Sequence, residues 1–540
     1  MGSGFFMKKR AAAVMIALIM LFSVTGFRMV NLISEPEQAA NSYSSMTLDL
    51  ATLKGTVYDC NMRLLTNSGT KLYAAAKPSG YGLGQLKGKV LPDVFDSVTE
   101  RMSKGKCVAV EIDSHIAEND DIKEISVPDR YSDSLACHII GYLDGEGNGV
   151  SGIEKGYNSL LSKHISRVTV RFESNARGRA LMGGEISVEG NGIPKNGIVL
   201  TINKDIQSIT EAALDASGCV RGAAVVIDVE SGGIRACVSR PLFDRSDIAA
   251  SLDDVNSPLI NRALLPFSVG SVFKPVVAAS ALEKGVEVFE YCCTGSVTLN
   301  GVTFNCHKKE GHGVLDMQGA IADSCNTYFI ALANETGGDE IIATAEKFGI
   351  GKEIVLADSV KSDSGVLPDV GELDSKAAVA NLSFGQGSLT ATPVQICAVF
   401  AAIARGGVYC KPYLAEGEVD CNGNFTRKKD YGERIQIISP RTADALCRYL
   451  KTVVTQGSGR RVQNDCVTAA GKTATAQTGK SKNGEEIYNA WFAGWFPADE
   501  PRYAVAILIE DGGEGAVSCA PVFREIAVNI TKTLQNNSKK

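Results

Sequence analysis

Ser271 and Lys274 stand three residues apart in the segment FSVGSVFKP at 267–275, which opens a helical pattern. At that spacing the two side chains share a helix face, so the amine can reach the hydroxyl. A serine is a weak nucleophile until its proton is removed, and a neutral amine in a restricted pocket can remove it without an imidazole. Main-chain N–H groups of the first turn add positive potential toward an oxyanion. The chain has 5 histidines, His115, His138, His164, His307 and His312, so imidazole chemistry has few places to start.

Two further segments carry compatible groups. Ser324 and Asn326, in DSCN at 323–326, do not share a helix face, but in a tight loop both can point into one cleft. There the hydroxyl can relay a proton, and the amide offers a donor and an acceptor to a peptide. The segment AGKTATAQTG at 470–479 opens a strand whose small residues let a substrate backbone lie along its edge. Lys472, Thr473 and Thr475 there offer a cation and hydroxyls to a carboxylate. It is not a phosphate loop, because the glycine required five residues before Gly471 is Cys466. Taken singly, each segment also has a plainer reading: a surface lysine beside a helix-capping serine, a cap between helices, a polar strand edge.

The elements that must hold these groups follow from periodicity. Apolar strands are predicted at 197–202, 222–228 and 234–239, the last two joined by a hairpin signal at 230–233, with an amphipathic helix at 205–216. Helical patterns occupy 274–285, 321–335, 339–348 and 392–405, and strands return at 473–478, 490–496 and 503–509. Val522, Ile526, Ile530 and Leu534 mark one face of a terminal helix. Strands at both ends with helices between predict one α+β domain whose sheet is completed by the C-terminal strands. Residues 51–202 are Gly-rich and charged, with strand-like stretches at 106–112 and 167–171, and read as a small, mainly β or α+β module without a catalytic pattern.

A chain of 540 residues is about three times the common domain size and needs no disulfide staples. Its 44% hydrophobic and 21% charged content is that of a folded protein. With 55 basic against 61 acidic residues and a formal charge of -6, it lacks the excess needed to grip a phosphate backbone, so no nucleic-acid partner is expected. The 15 cysteines are odd in number and include no CxxC pair. Cys292, Cys293, Cys306 and His307 admit a metal cluster, a local disulfide or plain thiols, but adjacent cysteines followed by a twelve-residue gap fit zinc-knuckle spacing poorly. No metal and no cofactor is therefore expected, while Cys293 and Cys306 are predicted to be neighbours across the loop that contains Gly301. At the N-terminus Lys8, Lys9 and Arg10 precede an apolar run over 11–33. The run is long enough to cross a bilayer with the basic flank inside, and no small-x-small site follows Phe27 promptly, which favours an uncleaved anchor over a signal peptide.

Together these segments resemble the class B, monofunctional penicillin-binding proteins, membrane-anchored D,D-transpeptidases of peptidoglycan. The family's S-x-x-K, S-x-N and K-T-G boxes are matched in order by Ser271 to Lys274, Ser324 to Asn326 and Lys472 to Ala474. Further resemblance lies in 222–228, 261–264, 385–387, 392–393 and 491–497, and in the first module in 54–59, 141–142, 152–154 and 157–158. The resemblance implies Ser271 as acyl-forming nucleophile, Lys274 as its base, Ser324 as proton relay and Asn326 as holder of the donor-stem amide. It gives Lys472 and Thr473 the electrostatics and hydroxyl contacts of the site, Thr475 the terminal carboxylate, and the backbone N–H groups of Ser271 and Thr475 the oxyanion hole.

It also implies stem peptides ending in D-Ala-D-Ala as substrate, β-lactams as acylating inhibitors, the bacterial cytoplasmic membrane as location with the catalytic domain outside, a membrane glycosyltransferase partner and a possible homodimer. The expected order is a cytoplasmic tail at 1–10, anchor at 11–33, stalk at 34–50, pedestal or dimerisation domain at 51–202 and transpeptidase domain at 203–535. The alternatives are a penicillin-recognising sensor or scaffold without turnover, and a carboxypeptidase or β-lactamase-like hydrolase. Two departures stand out: Ala474 in place of the family's usual glycine, and Lys54 with Cys60-Asn61-Met62 where arginine and Arg-Asn-Gly are common.

Overall fold

The computed structural model describes residues 3–537 except 35–43, 133, 176–178, 182, 191, 246, 287–288, 429–432 and 483. Ser3–Ser34 is one helix, and its apolar stretch Ala11–Asn31 has no buried surface over 21 residues. At about 1.5 Å per residue such a stretch matches the roughly 30 Å hydrocarbon layer.

The chain falls into two units, the helix being counted with the first. The first comprises 1–53, 70–128 and 166–192. It holds a three-stranded sheet in the order Ser44–Leu53, Ser166–Ser174, Ile186–Glu189, and another in the order Val108–Ile112, Gly69–Ala76, Ile122–Asp129. The predicted stalk thus ends by Ser44, its first part lying outside the described residues. Met46, Leu48 and Leu50 alternate with Thr47 and Asp49, and that period of two, packed against Val168, Val170 and Phe172, outweighs the serine-rich composition.

The second unit comprises 54–69, 129–165 and 193–540. A single boundary at 202 therefore does not describe the division: 54–69 and 129–165 belong with the larger unit. The cause is long-range pairing invisible to local pattern, since Thr56–Tyr58 runs parallel to Gly197–Leu200, which pairs in turn with Ala415–Val419. The family-like residues Lys54, Glu154 and Asn158 are tied together within 54–69 and 129–165. Arg130 grips the buried Glu154 at 2.7 and 2.9 Å, and Lys54 Nζ donates to Gly147 O at 2.8 Å and Asn158 Oδ1 at 2.6 Å.

The centre of this unit is a five-stranded antiparallel sheet in the order Ile234–Arg240, Gly222–Asp228, Tyr503–Ile509, Glu485–Phe496, Ala470–Lys482. N- and C-terminal strands sit side by side, as predicted. Ala223, Val225 and Ile227 join one core with Val394, Ala398 and Phe400 of the helix Pro393–Ala404, apolar apart from the buried Gln395. Ala224 and Val226 join a second core with Phe523 and Ile526 of the terminal helix Gly515–Asn537. Both sheet faces are covered, which is why these strands read as unbroken apolar runs rather than alternating ones. The helical pattern at 321–335 proves to be two helices, Met317–Ala322 and Asn326–Thr336, because Ser324 takes φ +56° and a left-handed residue cannot continue the helix.

Candidate active site

Ser271 lies in a 3-10 turn, Gly270–Phe273, that runs into the helix Lys274–Glu283. Residues three apart eclipse in such a turn, so Ser271 and Lys274 keep a common face although the serine precedes the α-helix proper. Pro275 occupies the opening turn, where no hydrogen bond is lost. The turn is braced from both sides. Gly270, at φ +60°, donates its N–H to Gly385 O at 2.9 Å, and a Cβ on Gly385 would stand 2.1 Å from Gly270 O. Trp491 Nε1 donates to Ser268 O at 3.0 Å. Gly385 and Trp491 thus shape the turn that carries Ser271.

Lys274 is 0% exposed. Its Nζ donates to Ser324 O at 2.7 Å and Asn326 Oδ1 at 2.8 Å, and lies 3.3 Å from Ser324 Oγ. The left-handed turn at Ser324 is what aims a carbonyl, a hydroxyl and an amide at one amine, and strain of this kind persists where the surroundings over-determine it. Among the described residues no hydrogen bond joins Ser271 Oγ to Lys274, so in this conformation the amine serves the S-x-N loop and leaves the serine free. Burial pulls the Lys274 pKa from its ordinary value down to about 7, so the neutral amine is accessible near physiological pH.

The third segment opens Ala470–Lys482, the edge strand of the sheet, which has no neighbouring strand on its outer side among the described residues. Lys472 departs from expectation: it is 0% exposed, donates to Thr473 O at 3.0 Å, and its pKa is held well down by burial and by the nearby Lys274 charge. It sits behind the site as a buried amine, not at the surface as a cation for a carboxylate. Thr473 and the exposed Thr475 do face the cleft of about 370 Å³ that Ser271, Ser324 and Asn326 also line. Ser458, Asp323 and Glu514, none singled out from sequence as a site residue, also line it, as does His307, which the sequence offered only as part of a metal cluster. Ser458 exchanges a 2.9 Å hydrogen bond with Thr473 Oγ1, and its N–H donates to Ala322 O at 3.0 Å. The signal available was the Gly457-Ser458-Gly459 turn directly after a helix: a Cβ on Gly457 would lie 2.2 Å from Ala322 O.

The Ala474 side chain is buried in the core that also holds Ala470, Ala476 and Trp491. A Cβ on Gly515, at the start of the terminal helix, would lie 2.2 Å from Ala474 O and 2.3 Å from Trp491 O, so here the helix gives up its side chain where strand and helix touch. Gly515 N also donates to Thr475 Oγ1 at 3.4 Å. Gly515→Ala is expected to push the helix off the edge strand and cost about 1–3 kcal/mol, read as a lower urea midpoint, with weaker reversible binding in the cleft. An unchanged midpoint would show that the contact is not tight.

Residues 222–527 match the model of the penicillin binding protein transpeptidase domain. The chain belongs to the class B penicillin-binding proteins, the D,D-transpeptidase family. Among relatives of this penicillin-binding protein, PbpB of Mycolicibacterium smegmatis is 32% identical over 422 residues, 73% of this chain and 63% of that one. Stage V sporulation protein D of Bacillus subtilis is 28% identical over 397 residues, 70% of this chain and 59% of that one. The matched region thus spans about three-fifths of either relative's length. The crystal structure of the D,D-transpeptidase domain of a peptidoglycan glycosyltransferase from Eggerthella lenta superposes with a TM-score of 0.65 at 26% identity, covering 89% of this chain and 98% of that one. The class B penicillin-binding protein described here thus combines an N-terminal apolar helix with a C-terminal transpeptidase domain of mixed helix and sheet.

Proposed function

We propose that this chain is a membrane-anchored serine D,D-transpeptidase. The observation that carries it is the convergence of Ser271, Ser324, Asn326, Thr473 and Thr475 on one cleft beside the edge strand of the sheet, with the amine of Lys274 buried behind the S-x-N loop. A stem peptide ending in D-Ala-D-Ala would lie along the edge strand as an added strand. Ser271 Oγ attacks the carbonyl carbon of the penultimate residue, and its proton passes to Lys274, directly or through Ser324. The oxyanion forms at the N–H groups of Ser271 and Thr475. The C–N bond breaks, the terminal D-alanine leaves with the proton, and an ester on Ser271 remains. The amine of a second stem then attacks the ester, the new peptide bond forms and the serine recovers its proton. Asn326 positions the donor amide and Thr475 the terminal carboxylate. A β-lactam acylates the same serine without a departing fragment.

Because the base form of Lys274 is required and burial puts its pKa at about 7, the acylation rate is expected to rise about tenfold per pH unit below that value and level off above it. Stopped-flow acylation by a fluorescent penicillin between pH 5.5 and 9 checks this, and a rate independent of pH across that range would count against a lysine base.

A purified chain given a labelled penicillin in one sample and crosslinkable stem peptides in another separates the proposed transpeptidase from its rivals. Dimeric product identifies the transpeptidase, hydrolysed monomer alone a carboxypeptidase, and a stable adduct with no peptide product a sensor. The first unit, with its two small sheets, would serve as the docking or dimerisation pedestal, and a membrane glycosyltransferase would be the partner that supplies glycan. The apolar helix would remain as a single-pass anchor with the large domains outside. Intact-mass analysis of the membrane protein is expected to retain 11–33, and a mature N-terminus beyond Phe27 would contradict the anchor.

A further inference from the structure

Cys293 and Cys306 are neighbours, as their loop predicted, but their company is not the one the sequence suggested. Cys292 and His307 are exposed, whereas Cys293, Cys306, His312 and Cys325 bring three Sγ atoms and one imidazole nitrogen within 4.8 Å of one another. All 15 cysteines are free thiols, so no disulfide draws the group together. The three cysteines are 2%, 3% and 0% exposed.

The distances fit one kind of occupant. Tetrahedral zinc with Zn–S about 2.3 Å and Zn–N about 2.0–2.1 Å needs sulfurs about 3.8 Å apart and sulfur about 3.5 Å from nitrogen. Cys306 Sγ lies 3.9 Å from Cys325 Sγ, and His312 Nδ1 lies 3.5 Å from both Cys293 Sγ and Cys306 Sγ. The backbone is shaped to hold this spacing. Cys293 pairs with Gly313 at the end of Tyr291–Cys293, and Cys306 N–H donates to Gly295 O at 2.8 Å. Gly311 takes φ +82°, and a Cβ on it would lie 2.2 Å from Cys293 O. The ligand set weighed from sequence spacing offered Cys292 and His307, whereas the turns bring His312 and Cys325 to Cys293 and Cys306.

We propose that Cys293, Cys306, His312 and Cys325 bind one Zn²⁺ in a closed S₃N site, with loss of three thiol protons on binding. Four protein ligands leave no open position, so the ion is structural rather than catalytic. Cys325 is the central residue of Ser324-Cys325-Asn326, so the ion ties the S-x-N loop to the turns at 293–295 and 306–312. It thereby fixes the left-handed Ser324 and the two groups that receive Lys274. This positioning role rests on the transpeptidase reading of the cleft; the metal site does not.

The test uses the full chain in detergent, expressed with added zinc and purified with a thiol reductant. Elemental analysis is expected to give about one zinc per chain, and X-ray absorption a shell of three sulfurs at about 2.3 Å and one nitrogen at about 2.0 Å. Cys293→Ser and His312→Ala should each lose most of the zinc, while Ser271→Ala keeps it. Stripping the wild-type chain with a strong chelator, which needs no variant to fold, should slow penicillin acylation at least about tenfold, with recovery on adding zinc back. A chain that holds less than about 0.2 zinc, a shell of oxygen and nitrogen only, or zinc unchanged by both substitutions overturns the site. Full zinc whose removal leaves acylation unchanged overturns the positioning role. Zinc in the S₃N shell of a chain that never acylates would uphold the site and reject the transpeptidase instead.

Discussion

Ser271→Ala protein is expected to form no covalent adduct with a labelled penicillin, a loss to below detection rather than a slowing. The other hydroxyls of the cleft are differently placed. Ser324 sits in the loop that receives Lys274, Thr473 Oγ1 is engaged with Ser458, and Thr475 Oγ1 accepts from Gly515. Only Ser271 stands one turn from the lysine, at a helix start whose N–H groups can face an oxyanion. Reversible binding should persist in the variant, because the strand edge and Thr475 are untouched. Gel fluorescence after penicillin labelling, with a melting curve to show that the protein is folded, reads the result.

Lys274→Ala is expected to retain binding but to acylate at least about 100-fold more slowly, the scale of a lost positioned base. The substitution also leaves Ser324 O and Asn326 Oδ1 without their donor, and a buried acceptor left unmade costs about 1–3 kcal/mol. Part of that is returned, because the buried amine no longer has to be desolvated. The melting temperature should therefore fall modestly while the rate falls steeply. A rate loss that only tracks the melting temperature would make the lysine a structural residue.

The order and spacing of Ser271, Lys274, Ser324, Asn326, Lys472 and Thr473 was legible in the sequence because the site is built at element boundaries, where local pattern is strong: a helix start, a broken helix and a strand opening. The central sheet was legible for the same reason, its covered strands being short, wholly apolar runs. What escaped depended on contacts between distant segments. Thr56–Tyr58 reaches the larger unit only by pairing with Gly197–Leu200, so no feature of 51–202 announced the division. Lys472 reads as a cation but lies buried, since its neighbour Thr473 turns the opposite way along the strand. Ser458 enters the cleft through the fit of Gly457 against Ala322, a steric fact without periodicity. His312 and Cys325 escaped because turns, not spacing, bring them to Cys293 and Cys306.

The most direct test of the serine acyl-enzyme is peptide mapping by mass spectrometry of the wild-type chain after brief exposure to penicillin and, separately, to a D-Ala-D-Ala stem peptide. One acyl group per chain on the peptide that contains Ser271 in both samples, with the stem acyl group discharged by a second stem's amine to give a crosslinked product, is the predicted result. A stoichiometric adduct on the peptides of Ser324 or Thr473, with Ser271 unmodified, would contradict it.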